Sequence, residues 1–147
     1  MSMPASERLG LDIKRTEQEL MSAKNAAVRA AGLTVPQYAA LYALDGNPGM
    51  SAAALARACL VTPQAMTVVL RNLEEHALIE RTPHEWHRHI KEVRLTAAGR
   101  GALTAADERA VTVERAIAAA LTADERDTLR DLLKRVGVAI GEAAGKL

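Results

Sequence analysis

Between Thr62 and Arg71 the chain sets short hydrogen-bonding side chains and one long cation on a single face of what reads as one helix. Thr62, Pro63, Gln64 and Thr67 supply the short groups near its start. Arg71 follows one turn after Thr67, on the same side. Met66, Val69, Leu70 and Leu73 make up the opposite, apolar face. The carboxamide of Gln64 matches the adjacent donor and acceptor of an adenine edge. Pro63 and the Thr67 methyl match a thymine methyl, and the Arg71 guanidinium matches guanine or a phosphate. The chemistry on offer is recognition of a duplex through its major groove. Any capped amphipathic helix with a solvated face has the same pattern, so the surroundings have to decide.

A second group lies just downstream. The polar stretch His84 to His89 joins two segments of β-type content, Ile79 to Pro83 and Ile90 to Leu95. In the second of these, Val93 and Leu95 alternate with Glu92 and Arg94, which reads as a two-stranded hairpin with one buried face. Arg88 at its tip has the charge and reach to enter a narrow minor groove, with His87, His89 and Lys91 flanking it on phosphates. His84, Glu85, His87 and His89 are also metal-ligand types. Neighbours on a hairpin tip point apart, whereas tetrahedral zinc needs convergent ligands, so no metal site is expected. Cys59 falls where the fold needs a small apolar core residue. No Gly-rich phosphate loop, paired catalytic carboxylates or Ser–His–Asp set is visible, so neither an enzyme nor a cofactor is expected.

These groups need a scaffold. The spacing of Leu9, Ile13, Leu20, Ala27, Val28 and Ala31 predicts a first helix from about Ala5 to Ala31, stopped by Gly32. Thr34 with Gln37 forms a capping box that opens a helix to about Leu44, and the turn residues Asp45 to Gly49 end it. Ser51 caps a third helix, to about Ala58, and Ser51 is counted with the duplex-facing residues. Thr62, followed by Pro63, caps a fourth, to about His76. Only Cys59, Leu60 and Val61 separate the third and fourth helices, so they must cross steeply, as in a helix-turn-helix. Thr96 caps a long helix to about Leu121. Thr122 and Glu125 form a second capping box ahead of a last helix carrying Leu129, Leu132, Leu133, Val136 and Ile140.

The expected fold is therefore mainly α with a small β-wing: a winged helix-turn-helix over about 34–96, with flanking helices over about 5–31 and 97–145, in one domain. The flanking helices have apolar stripes without a partner in so small a unit. A bundle shared by two copies would bury them, and a homodimer is the expectation; a monomeric bundle covering its own stripes is the alternative.

Composition agrees with this. The 147 residues are 49% hydrophobic and 25% charged, with 2% aromatic and no Phe, which favours close-packed helices built on Ala, Leu, Val and Ile. The net charge of +1 permits a local basic patch without demanding a polyanionic partner. One cysteine excludes an internal disulfide and suits a reducing compartment. No stretch approaches about 20 uncharged apolar residues, and the start of the chain lacks a signal-peptide core. A cytoplasmic protein with no membrane partner is expected.

From Leu33 to Gly99 the chain resembles the multiple-antibiotic-resistance regulator (MarR) family. The words that carry the resemblance are Leu33-Thr34 with Gln37; Pro48-Gly49-Met50-Ser51; Leu55-Ala56-Arg57 followed by Val61-Thr62-Pro63; Leu70, Leu73, Glu74, Leu78 and Ile79; and Leu95-Thr96-Ala97-Ala98-Gly99. Three positions depart from it. Leu60 and Ala77 stand where that family usually has Gly. The wing tip, usually D-x-x-[DR]-R, reads His84, Glu85, Trp86, His87, Arg88, leaving Glu85 as the substitute carboxylate for orienting Arg88. The resemblance implies a DNA-binding transcriptional regulator acting as a homodimeric repressor on a pseudo-palindromic operator. It also implies a small-molecule site between bundle and DNA-binding lobe. Tyr38 and Tyr42, four apart in a nearly aromatic-free chain, are candidates for its wall or for core filling, and Arg15 is a candidate for meeting an anionic effector. The alternative is a constitutive or architectural winged-helix DNA binder without a ligand switch.

Overall fold

Five helices begin where the sequence places a hydroxyl one residue before them, the one that follows Thr96 among them. In the computed structural model, which describes residues 2–147, helix α2 (Val35–Gly46) is capped by Thr34, α3 (Ala52–Ala58) by Ser51, α4 (Pro63–Glu75) by Thr62 and α6 (Ala123–Ala144) by Thr122. Each hydroxyl accepts the backbone N–H three residues on, which removes one of the unpaired donors at a helix start. The boxes at Thr34–Gln37 and Thr122–Glu125 close in both directions. The bond from the Thr122 amide holds the exposed Glu125 carboxyl below its ordinary range.

The first helix is shorter than its periodicity predicts. Ala5–Glu7 forms a single 3₁₀ turn, and α1 runs Gly10–Arg29. Arg8 between them is extended and turns its Nε to the Met3 carbonyl at 2.9 Å. No side-chain oxygen caps Leu9, so nothing joins the two segments into one helix.

Helices α1, α3 and α4 end alike. Gly32, Leu60 and Ala77 sit at φ +77°, +56° and +56°. In each case the next residue's N–H reaches back five residues: Leu33 to Val28, Val61 to Ala56, Leu78 to Leu73. This is the left-handed stop that glycine favours, adopted at two of the three positions by residues with a Cβ. The stop at Leu60 turns the axes of α3 and α4 through 111°, the steep crossing that the three-residue connection requires.

Strands β1 (Ile79–Pro83) and β2 (Lys91–Leu95) pair antiparallel from Ile79↔Leu95 to Pro83↔Lys91. The wing is wider than the expected two strands. Met50 bridges Val93, with Gly49 N–H donating to the Val93 carbonyl and Val93 N–H to the Met50 carbonyl. The turn before α3 is thereby stitched to the wing. The Arg81–Glu74 ion pair, 2.8 Å, stitches β1 to α4.

Helix α5 (Ala97–Ala119) starts at a crowded junction. Thr96 donates its hydroxyl to the Ala77 carbonyl at 2.6 Å and accepts from Gly99 N–H at 3.0 Å. Gly99 lies against the Leu78 backbone, and any Cβ there would run into the Leu78 carbonyl oxygen.

The chain forms two compact units, one up to Ala110 and one from Val111. The first holds the core, where Leu41, Leu44, Leu55, Met66, Leu70, Leu73 and Val93 are almost fully excluded from solvent. In the second, Arg126 donates to the Ala118 and Leu121 carbonyls at 2.8 and 3.0 Å, satisfying the end of α5. Helix α6 has no buried residue; Leu132, Leu133, Val138 and Ile140 are 45–62% exposed.

Candidate nucleic-acid interface

The face of α4 opposite the core is open. Thr62, Pro63, Gln64, Thr67 and Arg71 are exposed, while Met66, Leu70 and Leu73 are buried, as the sequence pattern requires. Hydrogen bonding divides their chemistry. Thr67 spends its proton on the Pro63 carbonyl at 2.9 Å, so outward it offers a methyl and an acceptor. Thr62 and Ser51 each accept a backbone N–H at their own helix start and keep a hydroxyl proton to donate. Gln64 and Arg71 have no hydrogen-bond or ion-pair partner among the described residues, which leaves an amide fork and a guanidinium unspent.

At the wing, Arg88 is exposed and likewise unpartnered among the described residues. Glu85 does not pair with it, so the expected substitute carboxylate is absent. His84, which the sequence offers only as a metal-ligand type, holds the loop instead. His84 accepts the amide protons of both Trp86 and His87 on Nδ1, at 3.1 Å each. His84 N–H donates to Ile90 O and Ile90 N–H to His87 O, closing the tip at 2.7 and 2.8 Å. The signal for this lay in the side chain: Nδ1 stands two bonds from Cβ, as an Asp or Asn oxygen does, and reaches the same amides. Trp86, the only tryptophan, is 79% exposed on this tip.

A cleft of about 400 Å³ beside the wing is lined by Ser51, Ala52, Arg81, His89, Lys91 and Val93 among others, which brings three of the sequence-selected residues together. Cys59 is half-buried against the core, and burial pushes its thiol up, away from the reactive thiolate form.

The effector candidates separate. Tyr38 donates its hydroxyl to Asp107 at 2.6 Å, joining α2 to α5 across 69 residues of sequence. Its ring lies 6.0 Å from that of Tyr42, which is 61% exposed. Arg15 is exposed on α1, and no hydrogen bond or ion pair joins it to either tyrosine among the described residues.

A capped recognition helix crossing its predecessor at 111°, followed at once by a hairpin with an arginine tip, is the geometry of a winged helix. Comparison with known proteins agrees. The MarR family profile matches residues 31–88. The HTH-type transcriptional repressor Rv2887 of Mycobacterium tuberculosis is 32% identical over 137 residues, spanning 93% of this chain and 99% of that protein. The chain belongs to the MarR family of transcriptional regulators. Among solved structures, the repressor CouR bound to a 23-mer DNA duplex superposes with a TM-score of 0.81 at 27% identity, covering 93% of this chain and 99% of that one. The M. tuberculosis MarR family protein Rv2887 in complex with p-aminosalicylic acid gives 0.67 at 33% identity, covering 88% and 98%. The MarR-type words now have structural reasons. Leu95-Thr96 and Gly99 clamp β2, α5 and the Ala77–Leu78 backbone together, and Pro48-Gly49-Met50-Ser51 supplies both the Met50–Val93 bridge to the wing and the α3 cap.

Proposed function

We propose that this MarR-family chain is a repressor that binds a pseudo-palindromic duplex as a homodimer and is released by a small aromatic acid. It acts by binding alone, without catalysis, in the compartment that holds the DNA, the cytoplasm. The observation that carries the reading is the unspent hydrogen-bonding capacity of Gln64 and Arg71 on the outward face of α4. Those side chains project from a helix fixed to the wing by Arg81–Glu74. In this reading α4 lies in the major groove with Gln64 on an adenine edge and Arg71 on guanine or phosphate, while Arg88 enters the flanking minor groove. Ser51, Thr62, His87, His89 and Lys91 hold the backbone. The apolar stripe of α6, together with Leu9 at the start of α1 and Leu11 and Ile13 within it, supports association of two copies, since 39–64% exposure of these side chains is a cost in a monomer.

Release by an aromatic acid is supported by the Tyr38/Tyr42 pair and by the relative Rv2887, whose structure holds p-aminosalicylic acid. Selecting bound sequences from a random duplex pool tests the proposal. The selected sites should show two-fold symmetry, with half-sites one helical turn, about 34 Å, apart. Binding should weaken steeply with salt as phosphate counterions are released. Tighter binding of the separated single strands than of the selected duplex, or salt-insensitive binding, would overturn it.

A further inference from the structure

We propose that His84 is the positioning residue of the wing tip, that it does this only as the neutral imidazole, and that protonating it releases the tip. The inference rests on the proposed contact of Arg88 with DNA for its functional consequence, though not for its structural content. His84 Nδ1 accepts two backbone amides, Trp86 and His87. A ring nitrogen that accepts holds no proton, so the proton of the neutral ring is on Nε2, which faces Glu92 Oε1 at 3.7 Å. The one lone pair on Nδ1 takes either those amides or a proton. On acidification an added proton turns Nδ1 into a donor facing two donors. The turn from His84 to His87 then loses both of its side-chain bonds, and with them the fixed direction of Arg88.

Among the described residues, charged and titratable neighbours come from β2 and from the loop itself. From β2, Glu92 faces Nε2 and is itself held by Arg94 at 2.8 Å. From the loop, the His87 ring stacks on His84 at 5.5 Å, and His89 stands edge-on to His87 at 6.0 Å. Glu92 lies on the Nε2 side of the ring and His87 against its face. Neither restores the amide bonds. The protonation of His87 and His89 acts oppositely on DNA, adding cations near phosphate. The wild-type pH profile is therefore a sum, and a variant that removes only the His84 part is needed.

His84→Asn is that variant. Its side-chain oxygen stands where Nδ1 stood, accepts the same amides and does not titrate. In ¹⁵N NMR of the free protein, His84 should show the Nε2–H tautomer at neutral pH. The Trp86 and His87 amides should move with the His84 ring on acidification and stay in place in His84→Asn. A proton on Nδ1 at neutral pH, or identical amide titrations in both proteins, overturns the proposal. The DNA arm uses a labelled A·T-rich 24-bp duplex. The ratio of wild-type to His84→Asn Kd should be near one at about pH 8 and rise roughly three- to tenfold by about pH 5.5, the worth of one or two such hydrogen bonds. His84→Ala, with no acceptor, should bind weakly throughout. A flat ratio beside an intact NMR transition overturns the role of the wing in DNA binding and leaves the imidazole hinge standing.

Discussion

Leu60 and Ala77 hold the same left-handed backbone, φ +56° at each, one on either side of the recognition helix. A residue with a Cβ pays about 1–2 kcal/mol for that conformation. Glycine avoids the clash but loses about 0.5–1 kcal/mol in unfolded-chain entropy. Leu60→Gly and Ala77→Gly should therefore each be neutral to stabilising, by up to about 1 kcal/mol. Leu60 is 93% exposed, so no packing is forfeited. Thermal unfolding checks this, and a clear loss of stability in Leu60→Gly would show that its side chain makes a contact not seen in the single chain.

Gly99 and Gly101 lie in the same helix and should respond oppositely to alanine. A Cβ at Gly99 would meet the Leu78 carbonyl oxygen and lie 2.9 Å from its carbon, both backbone atoms that cannot swing aside. Gly99→Ala should cost about 1–3 kcal/mol as the start of α5 is forced from the wing. Gly101 is exposed, with nothing within 4 Å of a Cβ. Gly101→Ala should stabilise by about 0.5–1 kcal/mol through helix propensity. Equal effects in denaturant unfolding would contradict the close approach at Gly99.

Arg71→Ala and Arg88→Ala should differ in kind. In the proposed reading Arg71, unpartnered on α4 among the described residues, reads a base; its loss should cost about 1–3 kcal/mol and relax preference at one position per half-site. Loss of Arg88 should matter most where the flank is A·T-rich and its minor groove narrow. Binding to single-base variants of the selected duplex separates the two. Equal, sequence-independent losses would mean that both act only through charge.

What was legible in the sequence was local. The caps at Thr34, Ser51, Thr62, Thr96 and Thr122 depend on residues within three positions of one another, and all form. The apolar side of α4 and the Val93 face of β2 follow from periodicity alone. The misses need distance or detail. Periodicity ran the first helix through Arg8, where the missing cap and the Arg8–Met3 bond end it. The Met50–Val93 bridge and the Tyr38–Asp107 bond join residues far apart in the chain, for which neither turn chemistry nor spacing carries a signal. His84 was weighed as a metal ligand and Glu85 as the substitute carboxylate, because wing chemistry was read by charge. The loop is organised by an acceptor lone pair.

Association should depend on α6. Leu132 and Leu133 are 45% and 54% exposed, beside a groove of about 620 Å³ lined by Leu132, Val136, Val138 and Ala139 among others. Aspartate at both leucines places two charges on the stripe that a second copy would cover, where burial of an unpaired charge is prohibitive. Sedimentation at micromolar concentration should show a dimer for the wild type and a monomer or unfolded chain for the double variant. A wild-type monomer would overturn the homodimer.

The effector reading makes a prediction with a definite sign. Tyr38 gives its only proton to Asp107 at 2.6 Å, so an aromatic acid seated against the tyrosine pair meets a carboxylate already served. Its own negative charge must share Tyr38 with that of Asp107. Asp107→Asn removes the competing charge and should tighten salicylic acid binding, whereas Tyr38→Phe removes the donor and should weaken it. Tyr42→Ala strips the neighbouring ring and should weaken it as well. By linkage, salicylic acid must lower affinity for the selected duplex by the same factor by which the duplex lowers affinity for salicylic acid, and a working switch needs about 1–3 kcal/mol of coupling. Calorimetry of salicylic acid with and without the duplex, at one fixed pH, measures both legs. If saturating salicylic acid leaves duplex affinity unchanged in the wild type and in Asp107→Asn, the tyrosine pair is no salicylate site, and Tyr38 is left as core filling with Tyr42 on the surface.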